Sequence, residues 1–150
     1  MDSVIDDRPA KSDVQSVVAT FLERLADADA DGLAELFAET VDWMVPGDPA
    51  LPWTGRRTRR ADIAPYFRTL WSHLEAGASR VELERIVVDG NDAVVLLSFS
   101  HVAEATGRRF TTAAAIRLTV DTDRITRLHL YEDTWAVSQA WVAPRTVRGL

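Results

Sequence analysis

The 150-residue chain contains no cysteine. That removes a disulfide framework, a thiolate nucleophile and any Cys-ligated metal, and it fits a reducing cytoplasm, the compartment expected for this protein. Lysine is almost missing too. Lys11 is the only one, and arginine supplies the rest of the 17 basic residues. With abundant alanine, this is the composition of a GC-rich bacterial gene. The three histidines stand apart without zinc-motif spacing, so no metal site is expected. There is no GxGxxG, no P-loop and no GxSxG elbow, and no cofactor is expected. No apolar run approaches the roughly 18 residues that span a bilayer. The opening MDSVIDDRPAKSD is acidic and polar, unlike a secretory signal. Positive charge is in deficit: the net charge is -6 and the pI about 5.0, which argues against nucleic-acid or membrane-surface partners.

What is present is ordinary for one globular domain: 47% hydrophobic and 27% charged residues, enough for a single core. Residues 1–12 have no period and read as a flexible leader. The domain is expected over 13–142, with a tail at 143–150. Ser12 to Gln15 reads as a capping box opening a helix, with Val14, Val17, Val18, Phe21, Leu22 and Leu25 on one face. Asp31 is the expected cap of a short second helix. Val41–Val45 reads as a strand, and residues 46–57, rich in Pro and Gly, as a loop. A third helix should start near Asp62, bury Ile63, Phe67, Leu70, Trp71 and Leu74, and stop at Gly77.

From Ser79 onward the pattern changes to period two. Strands are expected at about 80–88, 93–105, 108–120 and 124–132, punctuated by Asp89–Asp92, Thr106-Gly107 and Asp121–Asp123. Short turns imply an antiparallel meander, and strands this long must twist and coil. Asp133 then caps a last helical turn or two. The expected architecture is α+β: three N-terminal helices on a curved antiparallel sheet, a cone-shaped barrel whose open end leaves a pocket.

Three segments carry a family resemblance: Val17–Phe37 (VVATFLERLADADADGLAELF), Asp42–Gly47 (DWMVPG) with Gly55, and Arg124–Gln139 (RITRLHLYEDTWAVSQ). Together they resemble the nuclear transport factor 2-like superfamily, in its ketosteroid isomerase and SnoaL-like branch, over about residues 13–140. The resemblance implies the cone fold, a homodimer through the outer sheet face, and a small-molecule site. The fold hosts many reactions, so it does not name one. It implies a general base at Val45, a phenolic donor at Phe21 and a protonated acid at Ile116. All three are apolar here, which argues against that triad. Positions of an epoxide-hydrolase triad fall near Phe99, His101 and Leu130, and this set is also incomplete.

Strand alternation sends Val41, Trp43 and Val45 inward, with Thr112, Ala114, Ile116 and Leu118, then Leu128, Leu130 and Glu132, and Phe99, His101 and Ala103. This takes Val45, Ile116 and Leu130, the positions the resemblance implies, as inward, and His129 and Tyr131 then take the outer face. A register one residue off would instead make His129, Tyr131 and Asp133 the catalytic row. The catalytic candidates are therefore His101, Glu132 and Asp133: an imidazole near pH 6.5, a carboxylate whose pKa an apolar pocket raises, and a rival carboxylate that also suits an N-cap. The expected substrate-binding wall is Phe21, Trp43, Val45, Trp53, Tyr66, Phe99, Ile116 and Leu130. Trp71 reads as core. Arg56, Arg57, Arg59 and Arg60 read as a solvated face or a docking site for an acidic partner such as an acyl carrier protein.

The leading functional expectation is a cofactor-free cyclase or isomerase acting on a hydrophobic polyketide- or terpenoid-like intermediate, with shape supplying much of the rate. The alternatives are epoxide hydrolysis or dehydration by a His–carboxylate pair, and a non-catalytic ligand-binding dimer.

Overall fold

A computed structural model describes residues 9–142, with side chains from residue 13 onward. The expected tail and residues 1–8 of the expected leader lie outside the described residues. Helix α1 runs Pro9–Ala26, so it begins inside that leader. Proline suits the first helical position, where an N–H would be unpaired anyway. Ser12 therefore lies inside the helix and is not its cap.

Helix α2 (Ala30–Glu35) is capped by Asp29, whose carboxylate accepts from the Gly32 N–H at 2.9 Å. The expected cap, Asp31, instead pairs with Arg68 of α3 at 2.5 Å. Gly32 lets the Asp29 carboxylate close on its N–H, since a Cβ there would sit 2.0 Å from that carboxylate and push it aside. Strand β1 (Phe37–Val45) is longer than expected, and β2 (Gly55–Arg59) forms within the expected loop. After a 3-10 turn, α3 spans Ile63–Ser72. It stops short of Gly77 because side chains close its end. Ser72 Oγ and His73 Nδ1 both donate to the Thr69 carbonyl, at 2.7 and 2.8 Å. The chain then joins the sheet margin, with the Glu75 N–H donating to Val102 O at 2.8 Å.

Strands β3 (Arg80–Asp89), β4 (Asp92–Val102), β5 (Arg109–Asp121) and β6 (Arg124–Glu132) form the expected meander, and α4 (Thr134–Ala140) follows. The sheet order is β2-β1-β6-β5-β4-β3. One expectation fails here: the sheet is mixed, because β1 and β6 pair in parallel. These strands are joined through most of the chain, so no hairpin constrains their direction. The sheet is curved and unclosed, and extra residues in β1, β3 and β6 help it bend.

The alternation of strand residues follows the expected register. Val95, Ile116 and Leu130 align across β4, β5 and β6, and Leu97, Ala114 and Glu132 form the next inward row. Trp43, Phe21, Phe37 and Ile63 are essentially fully buried between sheet and helices. Trp43 touches the rings of Phe37, Tyr66 and Phe67 with centroids 4.7–6.0 Å apart. Each such side chain contributes roughly 1.5–3 kcal/mol of burial. Trp71, expected in the core, is only partly buried and packs on Phe67 at 5.2 Å.

Candidate active site

The helices do not fill the concave side of the sheet. A cavity of about 590 Å³ remains between α1, α3, α4 and the inward rows of β1, β4, β5 and β6. This size suits a small organic molecule. Its walls include all eight residues of the expected binding wall. Phe21 comes from α1, Tyr66 from α3, and Trp43 and Val45 from β1. Phe99, Ile116 and Leu130 come from the sheet, and Trp53 from the loop before β2. Trp53 is buried in that loop by contact with His73 and Trp141, at 5.3 and 4.8 Å. Trp71 also lines the cavity.

Two titratable side chains enter this apolar space from the sheet. Glu132 ends β6, where the inward row reaches α4. Its carboxylate has no hydrogen-bond or ion-pair partner among the described residues. Burial, then the charge of Asp133, push its pKa up to about 7. It is therefore divided between acid and carboxylate at neutral pH. Nearby, Tyr66 keeps its phenolic proton: burial first, and the Glu132 charge second, raise its pKa far above the usual phenol, while Arg57 opposes. The Arg57 guanidinium lies 5.0 Å over the Tyr66 ring and donates to Trp53 O at 3.1 Å. The Trp43 indole N–H, in the same buried corner, is also without a partner.

His101 occupies the other side of the cavity, on β4. It stacks between Phe99 and Phe110, with centroids 5.7 and 5.5 Å away. Its Nδ1 is 2.8 Å from Ser79 Oγ. Burial first, and Arg109 second, push the imidazole pKa down to about 4, so it is uncharged at neutral pH.

Asp133 is not part of the wall. Its carboxylate caps α4, accepting from the Ala136 N–H at 3.0 Å. Its effect on the site is electrostatic, through Glu132. Its own N–H donates to Thr112 Oγ1 at 2.9 Å, and this bond fixes the end of β6 against β5. Among the described residues Thr112 is the one buried polar side chain, and its hydroxyl braces the residue that follows Glu132. Helix α4 is tied down by Ser138 to Asp48 at 2.9 Å, by Thr106 to Ala140 O at 2.5 Å and by Arg108 to Gln139 O at 3.2 Å.

His129 and Tyr131 point to the outer face as expected. There Asp42 binds His129 Nε2 at 2.9 Å and Arg127 Nε at 3.1 Å. The arginines near β2 are engaged within the chain: Arg56 with Asp42, Arg57 as above, Arg59 with Asp62 and Arg60 with Phe37 O. Sequence reasoning missed the Ser79 partner of His101, the Thr112 brace and the polar role of Tyr66. Only Tyr66 left a signal, since it shares the helical stripe of Ile63 and Phe67.

This cone of helices on a bent sheet with an apolar pocket is the nuclear transport factor 2-like fold. Within that superfamily the SnoaL-like domain pattern matches residues 18–128, and the chain belongs to that family. Solved structures agree on the fold. A nuclear transport factor 2-like protein of unknown function from Burkholderia pseudomallei is 19% identical, covering 87% of this chain and 98% of that one, with a TM-score of 0.79. TerC, co-crystallised with polyporic acid, is 18% identical over 85% of this chain and 97% of its own, with a TM-score of 0.75. An epoxide hydrolase of the limonene-epoxide-hydrolase-like type from Mycobacterium tuberculosis is 18% identical over 86% and 89%, with a TM-score of 0.67. No curated protein matches the chain.

Proposed function

We propose that the protein is a cofactor-free isomerase or cyclase acting on a hydrophobic polyketide- or terpenoid-like intermediate, with Glu132 as the proton-transfer group. The observation that carries this reading is the Glu132 carboxyl: unpartnered, inside an apolar cavity, and poised near neutrality. A carboxyl bound for structure alone would hold a donor, whereas one poised near pH 7 can both take and return a proton. The reaction suited to it is removal of a proton from carbon next to a carbonyl. The Tyr66 phenol, still protonated, donates a hydrogen bond to the oxygen as the enolate forms. Glu132 then returns the proton to another carbon, or the enolate carbon closes a ring on a second carbonyl carbon of the same molecule, whose π pair moves onto its oxygen, and Glu132 gives its proton to that alkoxide. Either outcome returns Glu132 to the carboxylate it started from.

The test is solvent deuterium exchange into enolisable hydrophobic ketones, followed by NMR. Glu132→Gln should slow exchange by about 10²–10⁴. Equal rates in both proteins would remove the acid–base role.

Epoxide opening or dehydration by a His–carboxylate pair is disfavoured by register. His101 aligns with Phe110 and Glu132 with Ala114, four residues further along β5. That separates them by about 13 Å along the strands. The reading includes a homodimer through the outer face, supported by the half-exposed Tyr131 there. Sedimentation of Tyr131→Asp against wild type tests it.

A further inference from the structure

Proton transfer at Glu132 leaves the opposite wall unexplained. His101 and Ser79 both line the cavity, on the β4 side and close to its exposed rim at residues 75–81. An aromatic row, Trp53–Trp141–Phe110–His101–Phe99, has successive centroids 4.8–5.7 Å apart, and all but Trp141 line the cavity. His101 is the one member of that row with ring nitrogens facing two tasks. Nδ1 is held by Ser79 at 2.8 Å, and Nε2 has no partner among the described residues. Ser79 can donate or accept, so it fits either neutral tautomer. The free Nε2 then offers an N–H or a lone pair, and a hydroxyl satisfies both.

The cavity therefore has two polar ends. Glu132 and Tyr66 form one, His101 and Ser79 the other, roughly 13 Å apart along the strands and about 10 Å across them. Between them lie Phe21, Ile116, Leu130 and Phe99, all apolar. Among the described residues no arginine or lysine lines the space, and the rim carries Glu75. Arg109 stands near His101 but is held by Ala78 O and Ser100 Oγ outside the lining, so an anionic ligand end would be desolvated with no cation in contact.

We infer that His101, oriented by Ser79, is a specificity residue that binds an uncharged hydroxyl or carbonyl oxygen at the far end of an elongated ligand whose reacting carbonyl sits beside Glu132 and Tyr66. The ligand is thus an unionised molecule with an apolar middle and an oxygen at each end. This rests on the placement of the reacting end given above.

Binding separates the two ideas, because it needs no turnover. The probes are a twelve-carbon straight-chain methyl ketone, the same ketone with a hydroxyl at its far end, and the same ketone with a carboxylate there. Each is titrated by intrinsic tryptophan fluorescence. The wild type should bind the hydroxyketone about five- to tenfold more tightly than the plain ketone, and the carboxylate more weakly than the plain ketone. His101→Phe keeps the ring stacked between Phe99 and Phe110 but removes both nitrogens. It should abolish the hydroxyl preference, bringing the ratio of the two neutral probes' affinities to about one. Ser79→Ala, at the exposed rim, should reduce the preference at least twofold. The inference is overturned if wild type binds the two neutral probes equally, if the preference survives in His101→Phe, or if the carboxylate binds best. An unchanged preference in Ser79→Ala removes the orienting role. A Glu132→Gln protein that loses no exchange activity yet keeps the hydroxyl preference would sink the reaction and spare the recognition.

Discussion

Asp42 on β1 and Glu132 on β6 are carboxylates on adjacent strands that face opposite sides of one sheet. Outside, Asp42 is held by His129 and Arg127, and these contacts, with the His129 hydrogen bond foremost, keep its pKa below the ordinary value. Nearby on the same face, Asp92 holds Arg117 at 3.0 Å and accepts from Thr119 at 2.5 Å, and its pKa falls for the same reason. Inside, Glu132 has no donor and its pKa rises. The outer face is a saturated ionic lattice, open to solvent, where each charge lowers the energy of the next. The inner face holds charge only at a cost. The difference shows where chemistry is affordable: a paired carboxylate is locked in one protonation state, and an unpaired one in an apolar wall can change state near pH 7.

That contrast can be broken experimentally. The largest expected effect is on rate. Wild-type deuterium exchange should rise with pH through about 7, as Glu132 becomes the basic carboxylate, and Glu132→Gln should flatten this limb along with its loss of about 10²–10⁴ in rate. Asp42→Asn should leave both rate and profile in place; a matching loss there would erase the distinction between the faces.

Next come opposing effects on stability. The Glu132 pKa is raised from 4.5 to about 7 on folding, so the folded state holds the extra proton and stability falls as pH rises between those values. The penalty approaches about 3 kcal/mol by pH 8. Denaturant unfolding should show Glu132→Gln gaining on wild type across that window and matching it below. His101 runs the other way. Its pKa drops from 6.5 to about 4, so the unfolded chain binds the proton, and stability falls as pH drops through that range, again by about 3 kcal/mol. The wild type should therefore look nearly flat between pH 4.5 and 6.5, and His101→Phe should tilt it downward with rising pH.

A smaller effect is expected at Thr112→Val, which deletes the acceptor for the Asp133 N–H. It should cost about 1–3 kcal/mol in thermal unfolding and lower exchange activity by loosening the end of β6. The smallest is Asp42→Asn, with no more than about 1 kcal/mol lost at neutral pH, since the pair is partly exposed.

Much of this geometry was legible in the sequence because it is local. Asp89–Asp92 and Asp121–Asp123 mark the hairpins, but strict alternation from the second turn would face His129 inward. The extra residue in β6, between the pairs Val120–Ile125 and Thr119–Arg127, turns Glu132 in and His129 out, and the apolar Leu128 and Leu130 are its trace in the sequence. What escaped was non-local or belonged to side chains. The parallel pairing of β1 with β6 joins strands some eighty residues apart, and the strand at Gly55–Arg59 folds back on β1 across a Pro- and Gly-rich loop that reads as irregular. The end of α3 is set by the Ser72 and His73 side chains, not by Gly77. Glu132 and Asp133 are neighbours of one charge, and what separates them is that the strand ends between them. One stays in the pleat and faces the cavity; the next leaves it and caps α4.

The three ties on α4 have a consequence for traffic. A helix fastened to Asp48, Thr106 and Arg108 is a poor door. A ligand placed as proposed threads in past the solvent-facing lip near Ser79, leading with its carbonyl and trailing the oxygen assigned to His101. The sequence of arrival is built into the walls: head to the proton donor and acceptor first, tail to the gatekeeper last, and departure in reverse.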